Sequence, residues 1–325
     1  MRRCWPRRPK RSCCGPRSCA STPTVVPSNV SYPTDSGLLA KAIGRIAATQ
    51  KRIQAAGEAT RTKVRNRSRA AGKRAHAIGF KLRSRSAAGR DEALAAVRRT
   101  TGELADLAET AAAEAERLLT NAKQSLHRGR AKAKQQQARG DRDAVAGRRR
   151  GRLARAVNDL SELVDATRQI AAQTRQRLSG QTPDGSKRRV SLHDSDARPI
   201  AKGRLGKPVE FGHKAQLVEG DDGVIVDHNV ERGNPADAPQ LAPAVGRVAK
   251  RAGRAPRTVT ADRGYGEKSV DEELHDLGVE NVVIPRKGKP SAARRAEEHR
   301  RALRRTVKWR TGVEGRISTL KRGYG

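Results

Sequence analysis

Two carboxylates in the last quarter of the chain carry the chemistry this sequence could do. Val259-Thr260-Ala261 is a strand-like run that ends on Asp262 and leads into Arg263-Gly264-Tyr265-Gly266. Glu314 follows 52 positions later (314 − 262), within Arg310-x-x-x-Glu314-x-x-x-x-x-x-Lys321. A carboxylate at the carboxyl end of a buried strand faces the crevice where α/β proteins bind ligands. Gly264 and Gly266 let backbone approach a phosphate closely. On a helix, Glu314, Ser318 and Lys321 share one face. Paired carboxylates hold divalent cations, and such cations activate and stabilise oxygens at phosphorus. Lys and Arg around them neutralise a phosphate backbone. The pattern is that of metal-dependent phosphoryl transfer on nucleic acid. Each carboxylate also has a plain structural account. Asp262 can close its strand as an Asx turn, and Glu314 can be a surface residue paired with Arg310 one turn away.

The elements that must position these groups are legible from composition. From Gln181 onward, short β-like runs are separated by Gly and Pro turns: Arg189–Leu192, Val209–Val218, Val224–Val230, Thr258–Ala261 and Val279–Ile284. Helical runs fall at Ala238–Ala252 and Ser269–Leu277, and a closing helix at Ser291–Leu320 is expected to break near Gly312. Three close strands followed by alternating helix and strand predict an α/β domain with a mixed sheet over 181–325. Residues 38–180 differ. Ala, Arg, Lys, Glu and Gln dominate up to Leu178, without proline, and Leu104, Leu107, Ala111, Leu118 and then Leu153, Val157, Leu160, Val164 recur at helical spacing. This predicts long helices packed as hairpins or a coiled coil, with breaks near Gly89, Gly140 and Gly147–Gly151. Its charge reads as a solvated face, as a basic arm along DNA, or as a dimerisation element.

The 325 residues carry 70 Lys plus Arg against 34 Asp plus Glu, a formal charge of +36. That excess points to nucleic acid. No apolar run approaches the roughly 20 residues of a spanning helix. Aromatics are 2% of the chain, so the core must be built from aliphatic side chains. All four cysteines fall in the first nineteen residues (Cys4, Cys13, Cys14, Cys19), with no nearby His and no common zinc spacing. The thiol pattern is that of a reduced, cytoplasmic protein. Residues 1–24 begin with a basic, Pro- and Cys-containing stretch without periodicity, read as a disordered arm; an apolar signal core is missing from it. His213, His228 and His275 show no ligand spacing, and Gly203–Pro208 does not fit a P-loop.

Taken together, Ala261–Tyr265, Ile284–Gly288 and Trp309–Arg322 resemble the DDE transposases of bacterial insertion sequences. Lys207–Lys214, Gly233–Asp237 and Tyr32–Ser36 resemble further segments of that family. The resemblance implies an RNase H-like mixed sheet interrupted by the long Ala/Arg-rich helical insertion. It implies that Asp262 is the second catalytic acid and Glu314 the third, together holding two Mg²⁺ ions. It assigns Lys214, Arg263, Arg310, Lys321 and Arg322 to DNA. It implies strand cleavage and transfer on double-stranded DNA, element ends and target, by a homodimer in the bacterial cytoplasm at the nucleoid. The family's first acid belongs at the position of Thr22, in a stretch that also contains Pro23, a residue disfavoured in a central strand. Residues 25–37 then read as a remnant of the first-strand region and 1–24 as out-of-frame peptide, with the chain truncated at both ends. Asp194 or Asp196 is the alternative source of the missing ligand. A transposase lacking one of three acids is expected to be inactive. The competing functions are a non-catalytic basic DNA-binding or architectural protein and a different Mg²⁺ nuclease.

Overall fold

A computed structural model describes residues 16–28, 34–56, 59–83, 90–138, 144–202, 208–286, 288–289 and 291–324. The chain divides into two compact units. One comprises residues up to Pro27 together with Ile200–Gly325, and the other Ser28–Pro199.

The first unit is built on a six-stranded mixed sheet: β1 (Ser18–Pro27), β2 (Arg198–Ala201), β3 (Val209–Gly220), β4 (Ile225–Glu231), β5 (Thr258–Ala261) and β6 (Asn281–Val283). The order is β2-β3-β1-β5-β6, with β4 also paired to β3. β1 runs antiparallel to β3 and parallel to β5, and β5 runs parallel to β6. Antiparallel pairing on one side of β1 and parallel pairing on the other is the RNase H-like arrangement. Two helices, α5 (Ala238–Ala252) and α6 (Lys268–Asp276), connect β4 to β5 and β5 to β6. They pack Leu241, Val245, Val270 and Leu274 against Val259, Ala261 and Tyr265. The opposite face of β1 and β3 is covered by the last helix, which contributes Val313 and Ile317 against Ala20 and Leu217. Alternation along β1 follows: Cys19 packs with Val248 of α5, and Ala20 with Val313 and Ile317.

β1 starts at Ser18, so the strand occupies residues read from sequence as part of a disordered arm; residues 1–15 lie outside the described residues. Pro23 sits inside it, opposite Gln216. The pairing with β5 ends at Ser21, two residues earlier, so on that side proline costs no ladder hydrogen bond. Cys19 is buried, and burial, with Asp221 adding, pushes its thiol up to about 12.

The second unit is helical: α1 (Asp35–Ala55), α2 (Ser68–Arg83), α3 (Arg90–Ala138) and α4 (Ala144–Leu178). α3 and α4 pack on each other and on α1. Small side chains let the helices approach: Ala112, Ala115 and Ala122 of α3 meet Leu153, Val157 and Leu160 of α4 and Ile46 and Ile53 of α1. Thr34 caps α1 by accepting from the Gly37 amide at 3.1 Å. The expected break at Gly147–Gly151 is absent, because α4 runs through both glycines; each costs only about 1 kcal/mol against alanine, which packing offsets. The expected breaks at Gly89 and Gly140 lie outside the described residues.

Arg189–Leu192 is not a strand. Side chains take the place of a strand neighbour: Gln173 on α4 donates Nε2 to the Arg189 carbonyl and accepts the Arg189 amide, both at 3.0 Å, and Arg189 Nε donates to the Ser191 carbonyl at 2.9 Å. The segment stays with the helical unit. The closing helix also differs. It is interrupted at His299–Arg300, between α7 (Ala292–Glu298) and α8 (Arg301–Tyr324), and passes Gly312 unbroken.

Candidate active site

Strand register brings the functional positions together. The last residue pair of β1 and β5 is Ser21 with Ala261. Thr22 and Asp262 come next, on neighbouring strands roughly 4.8 Å apart. Both belong to the face covered by α8: Thr22 is two residues after Ala20, which packs on Val313, and Asp262 contacts Arg310 of α8. α8 presents Arg310 and Glu314 one turn apart toward this end of the sheet. Arg310 forms an ion pair with Asp262, and the same Nη1 lies 3.5 Å from Glu314 Oε1. The two carboxylates singled out in the sequence therefore converge on one guanidinium.

The environments are unequal. The Asp262 side chain is 31% exposed, Glu314 56% and Arg310 only 11%. Burial, opposed by Arg310 and reinforced by the charges of Glu314 and Asp237, holds the Asp262 carboxyl above its ordinary range. Thr22 is buried, and its Oγ1 has no hydrogen-bond partner among the described residues. An orphaned buried oxygen is costly and calls for an explanation.

Three supporting groups escaped the sequence reading. Asp237, ahead of α5, is ion-paired with Lys214 Nζ at 2.7 Å, and Lys214 also donates to the Pro235 carbonyl at 3.0 Å. Asp237 reaches the Asp262 turn, where a Cβ on Gly264 would lie 3.1 Å from its Oδ2. Tyr265, fully buried, hydrogen-bonds with Ser21 and Gln216 and fixes that turn from below. Burial, with Asp237 adding, shifts its phenol upward. Glu219 on β3, also buried, is paired with Arg316 and ties α8 to the sheet. For Asp237 the sequence signal was the Gly233-Asn234-Pro235-Ala236-Asp237 loop. A buried Glu within a strand gave none.

The remaining positions separate. Lys214, expected on DNA, is ion-paired with Asp237, and Arg310, also expected there, with Asp262 and Glu314. Arg263 is exposed. Arg322 is exposed and donates to Ser318 Oγ at 2.8 Å. Lys321 is on α8, and its side chain lies outside the described residues. Asp194 and Asp196 belong to the helical unit, not to the one holding Asp262. Asp194 accepts from Ser28 Oγ at 2.6 Å and from the amides of Asp196 and Ala197 at 3.1 Å, which is the turn-forming role.

The RNase H-like sheet thus carries one carboxylate, Asp262, directly after an interior strand and a second, Glu314, midway along the helix that faces it. Residues 164–325 match the family model described as the transposase DDE domain. The chain belongs to the DDE transposases, enzymes that act on DNA and use divalent metal ions. No curated protein and no solved structure matches it.

The donor set fits a hard cation in part. Mg²⁺ binds through one or two carboxylates and keeps several waters. Asp262, Glu314 and the unpartnered Thr22 hydroxyl supply oxygen donors of that kind. Among the described residues no cluster of three or more acidic, His or Cys side chains exists.

Proposed function

We propose that this chain derives from a Mg²⁺-dependent transposase of an insertion sequence and is catalytically impaired by Thr22 at the first-acid position. The observation that carries the reading is the convergence of Asp262 and Glu314 on Arg310, with Thr22 beside Asp262 in register. The expected substrate is double-stranded DNA, at element ends and target, engaged by a homodimer in the bacterial cytoplasm. Residues 16–27 and 200–325 form the catalytic unit and 28–199 an inserted helical unit.

A bound Mg²⁺ would polarise phosphoryl oxygen and activate the attacking hydroxyl. Asp262 and Glu314 would hold it. Arg310 keeps the two carboxylates close in its absence and, once released, is placed to meet a phosphate. Lys214 and Asp237 hold the turn carrying Asp262, and Glu219 with Arg316 sets the rotation of α8. A neutral hydroxyl at position 22 removes one unit of negative charge, so cation binding is weakened and its geometry loosened.

The same two facts, Thr22 and the arginine between the carboxylates, favour a second reading: a basic DNA-binding protein without catalysis. Donor-DNA cleavage and strand transfer with Mg²⁺ separates them. The first reading expects little activity from the chain itself and a gain in Thr22→Asp that Asp262→Asn abolishes. Activity of the unaltered chain that survives Asp262→Asn would place the chemistry elsewhere.

A further inference from the structure

A cleft in the helical unit lies between the last turn of α1 and the N-terminal half of α4. Arg52, Arg149, Arg152 and Arg155 line it, with Asp159 as the one carboxylate. Residues 144–158 contain five arginines and no acid. The two halves of α4 treat arginine differently. In the C-terminal half, Arg168 binds Glu116 at 2.6 Å, Arg175 binds Glu109 at 2.7 Å and Asp106 at 2.8 Å, and Arg177 binds Asp35 at 3.0 Å. In the N-terminal half, Arg149 donates Nε to the Ala56 carbonyl at 3.0 Å, which aims it without neutralising it. Arg52 reaches Asp159 only at 3.4 Å. Arg152 and Arg155 have no ion-pair partner among the described residues, and both are exposed.

A charge-laced helix face is ordinarily just solvated. Here three arginines without an ion pair among the described residues, Arg149, Arg152 and Arg155, lie three residues apart on α4 and border one concavity with Arg52 of α1, and like charges at such spacing repel. Guanidinium groups so gathered match phosphate oxygens. We propose that this cleft binds the phosphate backbone of duplex DNA, as a contact additional to the carboxylate-bearing unit. The proposal rests on the reading of the chain as a DNA-acting protein. On this account the inserted helices hold DNA in addition to the carboxylate-bearing unit.

The test uses the full chain and a fluorescent duplex, with affinity measured from 50 to 200 mM salt. Arg149→Gln/Arg152→Gln/Arg155→Gln removes three cations. Each phosphate contact contributes about 0.9 to the slope of log K against log salt. The slope should become shallower by about 2.7, which over this fourfold salt range is a roughly fortyfold smaller loss of affinity. The corresponding triple Lys variant should keep the parent slope. An unchanged slope in the Gln variant, with parent-like helicity by circular dichroism, overturns the proposal. Pyrophosphate is the second arm. If it protects α4 from proteolysis in the parent but leaves DNA affinity untouched, the cleft is a small-anion site and the DNA proposal fails. DNA binding with the predicted slope change, in a chain whose Thr22→Asp form does not cleave, would leave this cleft standing and overturn the active-site reading alone.

Discussion

Thr22 and Asp262 leave the β1–β5 ladder side by side, directly after the final pair Ser21–Ala261. On the proposed reading, this neighbour relation includes position 22 in the site although Thr22 is neutral. The Thr22 hydroxyl oxygen is buried there without a hydrogen-bond partner among the described residues.

Arg310 acts as an internal counter-ion. Arg310→Met leaves two carboxylates facing each other without compensation. Fully buried pairs lose about 3–5 kcal/mol on such a change, but Glu314 is more than half exposed and solvent screens part of it. The expected loss is about 1–3 kcal/mol at neutral pH by urea unfolding. Added Mg²⁺ should restore more stability to this variant than to the parent.

Asp262 is protonated more readily in the folded chain than in the unfolded one, chiefly because it is buried. The folded state then binds more protons, so this group favours folding below its ordinary value of 3.8 and loses that contribution as pH rises through the raised folded value. Asp262→Asn should therefore raise the melting temperature at neutral pH. The gain should shrink as pH falls, read by thermal scans between about pH 3 and 8.

Gly266 is a steric requirement of the same turn. A Cβ there would drive into the Pro285 carbonyl and lie 2.8 Å from Arg286 Cα. Both are backbone and cannot rotate away. Gly266→Ala should cost at least about 3 kcal/mol, at the upper end for overpacking. Gly315→Ala on α8 meets nothing within 4 Å and should be neutral or slightly stabilising. Paired chemical denaturation of the two variants gives the contrast.

Leu160 on α4 is fully buried in the helical unit. Leu160→Ala should destabilise that unit by about 2–5 kcal/mol, seen as lost protection in hydrogen exchange across α1, α3 and α4.

Much of this was readable in advance, and the failures have local causes. Asp262 and Glu314 stood out because each ends or punctuates a regular pattern, and the structure brings them to one guanidinium. β3, β4, β5 and α5 fall close to the expected spans, since alternation and Pro or Gly punctuation mark their ends. β1 was obscured by Pro23, which is harmless only because β5 stops short of it. Arg189–Leu192 has strand-like composition, yet its neighbour is the Gln173 side chain. The ion pairs of Lys214 with Asp237 and of Arg310 with Asp262 were not legible, because charge alone does not reveal a partner distant in sequence. Glu219 was invisible for the same reason: its meaning depends on Arg316, 97 residues away (316 − 219).

The central claim is that position 22, Asp262 and Glu314 form one cation site. Titration of Mn²⁺, as a paramagnetic substitute for Mg²⁺, into the parent, Thr22→Asp and Thr22→Asp/Asp262→Asn chains tests it most directly. Thr22→Asp should bind at least tenfold more tightly than the parent, and the added Asn should return affinity to the parent level or below. Equal affinity in all three would contradict the account.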